Sequence, residues 1–159
     1  MKKIFIVYAV IIVIVIIIAL IKFGGSLAIP FGKSATATIK NQKFTLMVAQ
    51  SEKDKTRGLS GRQSLSANTG MIFVFDKPGV YSFWMKDMKF PIDMIFLNNN
   101  KIDTMYKNIP PPAVDENTAN LKVYSPKGNI DYVLELPAGT ADKYSLKPGD
   151  TITLQNVPK

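Results

Sequence analysis

The chain has no cysteine and no histidine. Without cysteine there are no disulfides and no thiol nucleophile, so the fold has to rest on its packed core. Without histidine, the usual zinc centres, His-based catalytic triads and haem ligation by imidazole are all excluded. No metal site and no cofactor is expected. Tryptophan is almost as scarce, with Trp84 standing alone. Acidic residues are in deficit as well, 12 against 20 basic ones, for a net charge of +8 over 159 residues.

A long apolar run is present at the amino end. Ile4 to Ile21 carries no polar group except the Tyr8 hydroxyl. At about 1.5 Å per residue this run spans roughly 27 Å, close to the hydrocarbon thickness of a bilayer. Lys2 and Lys3 precede it and Lys22 follows. The expected layout is a cytoplasmic end at residues 1–3, a transmembrane anchor or uncleaved signal at 4–22, a Gly- and Pro-containing tether at 23–34, and an extracytoplasmic domain at 35–159. A cleaved signal peptide ending at Ser26-Leu27-Ala28 is the alternative, but the apolar stretch exceeds the usual h-region of about 7–15 residues. Setting aside Lys2, Lys3 and Lys22 leaves 17 basic and 12 acidic residues, a net of +5. The basic residues are scattered, which fits attraction to an anionic envelope component better than nucleic-acid binding. The oligomeric state is not legible.

From Ala35 the pattern has period two. Ala35 to Ile39 and Lys43 to Ala49 read as strands about an Asn41-Gln42 turn, with Phe44, Leu46 and Val48 on the core face. Ser51 to Leu59 reads as a short helix: Ser51 can cap it, acids lead, bases follow, and Gly58 suits the stop. Met71 to Phe75 is an apolar run fitting a strand buried on both faces, and Asp76 to Gly79 reads as a turn. Val80 to Lys86, Pro91 to Leu97, Lys101 to Tyr106, Leu121 to Tyr124, Ile130 to Leu136 and Thr151 to Gln155 follow as strands, with a helical turn or two in Ala138 to Tyr144. The long irregular stretch Asn108 to Asn120 holds three consecutive prolines. About nine short strands with one or two short helices predict a mainly β sandwich or barrel. Helices are too few for a crossover-linked parallel sheet.

Arg57-Gly58-Leu59 with Arg62 and Leu65, then Gly70 to Phe75, then Phe83-Trp84-Met85-Lys86, then Pro91 to Phe96 and Leu134 to Gly139 recur in order. Together they resemble the domain of unknown function 192 family over roughly Lys43 to Leu154. The resemblance implies a small β-rich domain, often exported or membrane-anchored, and no established reaction. This chain has Asp87 and Met88 where the family usually carries Asn and a hydroxyl residue, and Ser60-Gly61 where a Met is common.

The stretch Val80 to Leu97 reads as an organising hairpin and concentrates the candidate residues. On the first strand Ser82, Trp84 and Lys86 share the outward face, while Asp93 shares an apolar face with Ile95 and Leu97. Glu135 sits likewise between Leu134 and Leu136. A carboxylate there costs several kcal/mol unless paired, with Arg57, Arg62 and Lys86 as the available partners. The leading expectation is a non-enzymatic binding module. In it Arg57, Arg62, Trp84, Lys86, Asp93 and Glu135 form a basic, aromatic pocket for an anionic or sugar-like ligand. The alternative is a hydrolase acting on envelope polymer, with Asp93 and Glu135 as its acid/base pair. A Ser82–Lys86 dyad and Cu(I) held by Met85 and Met88 are weaker readings, since Met85 falls on the core face.

Overall fold

The computed structural model describes residues 34–113 and 117–158. The anchor, and the tether apart from Ser34, lie outside these residues. Among the described residues no helix is long and apolar enough to cross a membrane.

The domain is mainly β. Its strands are β1 (Ser34–Ile39), β2 (Gln42–Ala49), β3 (Thr69–Gly79), β4 (Phe83–Trp84), β5 (Ile92–Asn98), β6 (Lys101–Ile109), β7 (Val123–Tyr124), β8 (Ile130–Pro137) and β9 (Thr153–Gln155). Among the described residues two short helices accompany them, α1 (Glu52–Arg57) and α2 (Thr140–Lys143). Seven strands form one sheet in the order β6-β5-β8-β3-β2-β1-β9, and β4 pairs with β7 in a separate ribbon. The large sheet curls until its edges meet at one corner. Lys101 bridges Thr151 there, and the amides of Ile102 and Ile152 donate to the carbonyls of Asp150 and Asn100 at 2.9 Å each. A half-barrel results rather than a two-sheet sandwich, since seven of the nine strands belong to one sheet.

Alternation along the strands divides the core in two. Inside the curl lie Ala35, Ala37, Phe44, Leu46, Ile72, Ile95, Leu97, Leu134 and Leu136. On the outer face lie Met71, Phe73, Met94, Phe96 and Val133, covered by Leu59 and by Met85, Met88 and Tyr124 around the β4–β7 ribbon. Because each central strand is apolar on both faces, β5 is buried from Ile92 to Leu97 without interruption.

Local chemistry sets the elements. Ser51 caps α1, its Oγ accepting from the Asp54 amide at 3.1 Å, and Gly58 ends the helix at φ 49°, donating to the Asp54 carbonyl. Asn99 and Asn100, at φ 48° and 64°, form the two-residue turn that joins β5 to β6, a conformation asparagine tolerates.

Three expectations need correction. The chain from β2 through α1 to β3 is a crossover, and β2 and β3 pair in parallel. The helix within it is too short to have signalled this. Asp76 to Gly79 is no turn, because β3 runs through to Gly79 with a register shift against β8 after Val74. Val80 to Leu97 is no hairpin: β4 pairs with β7 and β5 with β6 and β8. Between them Met88 donates to the Met85 carbonyl and Asp87 adopts φ 56°, which breaks the strand.

Candidate functional site

A cavity of about 590 Å³ opens on the outer face of the sheet. One wall is α1 and its exit, with Lys55, Arg57, Gly58, Leu59 and Ser60 lining the space. The opposite wall is the chain from Tyr81 to Met88, which includes β4. Phe73 and Phe75 of β3 and Glu135 of β8 complete the lining from the sheet below. The walls are tied where they meet: Ser60 Oγ donates to the Lys86 carbonyl at 2.8 Å and the Gly61 amide to that of Asp87 at 3.0 Å. Aromatic packing fixes the interior. The Phe73 and Phe83 rings meet edge-on at 4.9 Å, and Tyr81 stacks on Phe75 at 3.7 Å. Lys55 lies 5.2 Å from the Phe75 ring centre while its ammonium pairs with Glu52 at 2.8 Å.

Glu135 is the unusual group. It is 5% exposed, flanked in register by Met71 and Met94, and its side chain is in no ion pair or hydrogen bond with another described residue. Its Oε2 is fully buried without a partner. Burial in these apolar surroundings pushes the carboxyl up from an ordinary 4.5 to about 8. At neutral pH the group is therefore an uncharged acid, able to donate as well as accept. The charges around it are Lys55, Arg57, Lys77 and Lys86 against Glu52 and Asp76, so the lining is net basic. Trp84 stands at the rim, 56% exposed.

Of the residues singled out from sequence, Arg57, Trp84, Lys86 and Glu135 line this cavity, and Arg62 and Asp93 do not. Asp93 is paired with Leu136 across β5 and β8, whereas Glu135 faces Met94. Period two therefore sends the two carboxyl groups to opposite faces of the sheet, and they cannot flank one scissile bond. The paired-carboxylate hydrolase is corrected on this ground. Asp93 needs no arginine either. Its Oδ1 accepts from the amides of Asn108 at 2.7 Å and Gly139 at 3.3 Å, and its Oδ2 from Ala141 at 2.7 Å. It thereby supplies the cap that Gly139 cannot give α2. Among the described residues no ion pair joins Glu135 to an arginine. The Ser82 hydroxyl contacts that of Ser125 at 2.8 Å, and Met85 and Met88 are buried in the outer core, so neither the dyad nor a thioether metal site is assembled. Among the described residues no cluster of three metal-ligating carboxylates occurs.

Phe73, Phe75, Tyr81 and Phe83 read as core from sequence and prove to be cavity lining. The usable signal was parity: Phe73 and Phe75 share a β3 face with Met71, the residue opposite Glu135.

The fold and site define a small half-barrel domain with one large, basic and aromatic cavity. The chain belongs to the domain of unknown function 192 family (DUF192, uncharacterized ACR), whose model matches residues 35–154. Comparison with curated proteins gives no match. Among solved structures, the chain is similar to a Sinorhizobium meliloti 1021 protein named for a proposed role in transcription regulation. That likeness has 25% identity and a TM-score of 0.65, covering 76% of this chain and 91% of that one. It is also similar to a protein of unknown function from Novosphingobium aromaticivorans DSM 12444. There the identity is 25% and the TM-score 0.63, over 76% of this chain and 83% of the other.

Proposed function

We propose that the domain is a binding module held at the extracytoplasmic face of a membrane by its amino-terminal apolar segment. In this reading it takes an anionic or sugar-like ligand into the cavity. The observation that carries the reading is the exposed indole of Trp84 at the rim of a large concavity whose lining is net basic. A half-exposed tryptophan contributes little to folding, and an apolar ring beside convergent cations suits a ligand with a flat apolar face and an anionic substituent. The convergent cations and aromatic rings of the described lining support binding as the chemistry of the site.

Trp84 is the single tryptophan, so its fluorescence reports the site directly. Titrating the full chain in mild detergent with anionic glycans should quench or shift that emission saturably, and Lys86→Glu should weaken the effect. If no anionic glycan or carboxylate up to millimolar concentration changes the emission, the proposal fails.

A further inference from the structure

The cavity is chemically graded from mouth to floor. Cations and Trp84 stand at the rim, rings lie between, and Glu135 lies on the sheet beneath, between Met71 and Met94. Natural interiors rarely leave a buried polar atom unpaired, because the desolvation cost is not recovered. An unpartnered carboxyl lining a cavity large enough for a sugar is explained if a ligand completes it.

We propose that Glu135 is the selectivity element of this site: its buried carboxyl, unanswered by any described residue, hydrogen-bonds an uncharged oxygen acceptor carried on an apolar group. The acetamido carbonyl of an N-acetylated sugar acid is the class that fits. The inference rests on the cavity being a ligand site. An acetamido group offers a methyl to Leu59, Phe73 and Met88 and an oxygen to Glu135, while the sugar ring reaches the rim, where Trp84 can stack and Lys86 or Arg57 can meet a carboxylate. A ligand presenting an amine would have to bring its charge past the basic rim and ionise the acid.

The charged and titratable groups that face Glu135 come from α1 (Glu52, Lys55, Arg57), from the end of β3 (Asp76, Lys77) and from the segment bearing Tyr81 and Lys86. A variant altered only at position 135 subtracts them all.

The test compares N-acetylmuramic acid with muramic acid, its free amine, by Trp84 fluorescence of the full chain between pH 6.5 and 9.5. The acetylated sugar should bind more tightly. With the carboxyl titrating at about 8, its affinity should fall tenfold per pH unit beyond that point. Glu135→Gln, which keeps a donor, should bind within a few-fold at pH 7 and lose the pH dependence, and Glu135→Leu should bind about tenfold more weakly. Preference for the amine with affinity rising through pH 8 would overturn the inference in favour of an ion pair. Binding that ignores both pH and the substitution would also overturn it, while leaving the binding module intact. Silence of Trp84 toward these and every anionic glycan would remove both.

Discussion

Glu135 makes the stability of the domain depend on pH in a way that a single substitution isolates. Its carboxyl titrates at about 8 in the folded chain against an ordinary 4.5. The folded state therefore holds a proton across that interval which the unfolded chain has released. Where the native state binds more protons, stability falls as pH rises. The contribution is intact below about pH 4.5, declines steadily, and is lost above about pH 8. Each unit is about 1.4 kcal/mol, so the full span is on the order of 5 kcal/mol. That is a third or more of the stability of a typical domain.

Glu135→Gln removes the titration and keeps the shape. Its buried amide carries a constant cost of its own, so the informative quantity is the slope of the difference with pH, not its offset. Urea unfolding of both proteins in mild detergent, followed by near-ultraviolet circular dichroism of the packed aromatic side chains, gives that difference from pH 4.5 to 9. Relative to the variant, the wild type should lose roughly 3 M in urea midpoint over the range, for a denaturant slope of about 1.5 kcal/mol/M. All other titrating groups cancel to first order. If the difference stays within about 1 kcal/mol from pH 4.5 to 9, the carboxyl is not held in an apolar setting, and the reasoning from its burial is refuted.

Asp93→Ala should destabilise the domain by about 3 kcal/mol, because three amides lose a charged acceptor. Asp93→Asn should fall between the two in thermal unfolding, and both variants should leave ligand-induced Trp84 quenching intact. Gly70→Ala should cost about 1–3 kcal/mol in urea unfolding. A β-carbon there would lie 2.6 Å from the Glu135 carbonyl and 2.7 Å from a Leu136 methyl, too close to fit between β2 and β8 without moving backbone. Trp84→Ala should change stability by less than about 1 kcal/mol and yet abolish binding of the glycan that quenches the wild type, as calorimetry would show.

The elements with local signals were legible in the sequence. Ser51 and Gly58 bracket α1 as their capping chemistry requires, and the alternation in β2 and β5 assigned faces correctly, down to Asp93 beside Ile95. What alternation does not carry is the identity of the partner strand. Phe83-Trp84 pairs with Val123-Tyr124, not with its neighbour β5, because the turn at Asp87 redirects the chain before Pro91. The parallel pairing of β2 with β3 was hidden for the same reason: the crossover between them holds one helix of six residues. The cavity arises from these two non-local choices. Its walls are the crossover and the redirected chain, which is why its aromatic lining reads as ordinary core when each segment is taken alone.

Asp93 and Glu135 show where the functional information lies. Both are single acids embedded in apolar strands, and the sequence treats them alike. Register separates them: Asp93 faces Leu136 and Glu135 faces Met94, so one enters the inner core and the other the outer face. On its side Asp93 meets three backbone amides, that of Asn108 in β6 and those of Gly139 and Ala141 at the start of α2, which compensate its burial. On the other side no group among the described residues answers Glu135 Oε2. Filling that position with leucine would remove the desolvation cost and let the sheet pack without a buried acid, as interiors generally tolerate. An acid buried there against its own stability, at the floor of a cavity rimmed by Trp84, has no partner among the described residues, and that is the observation the proposed ligand contact rests on.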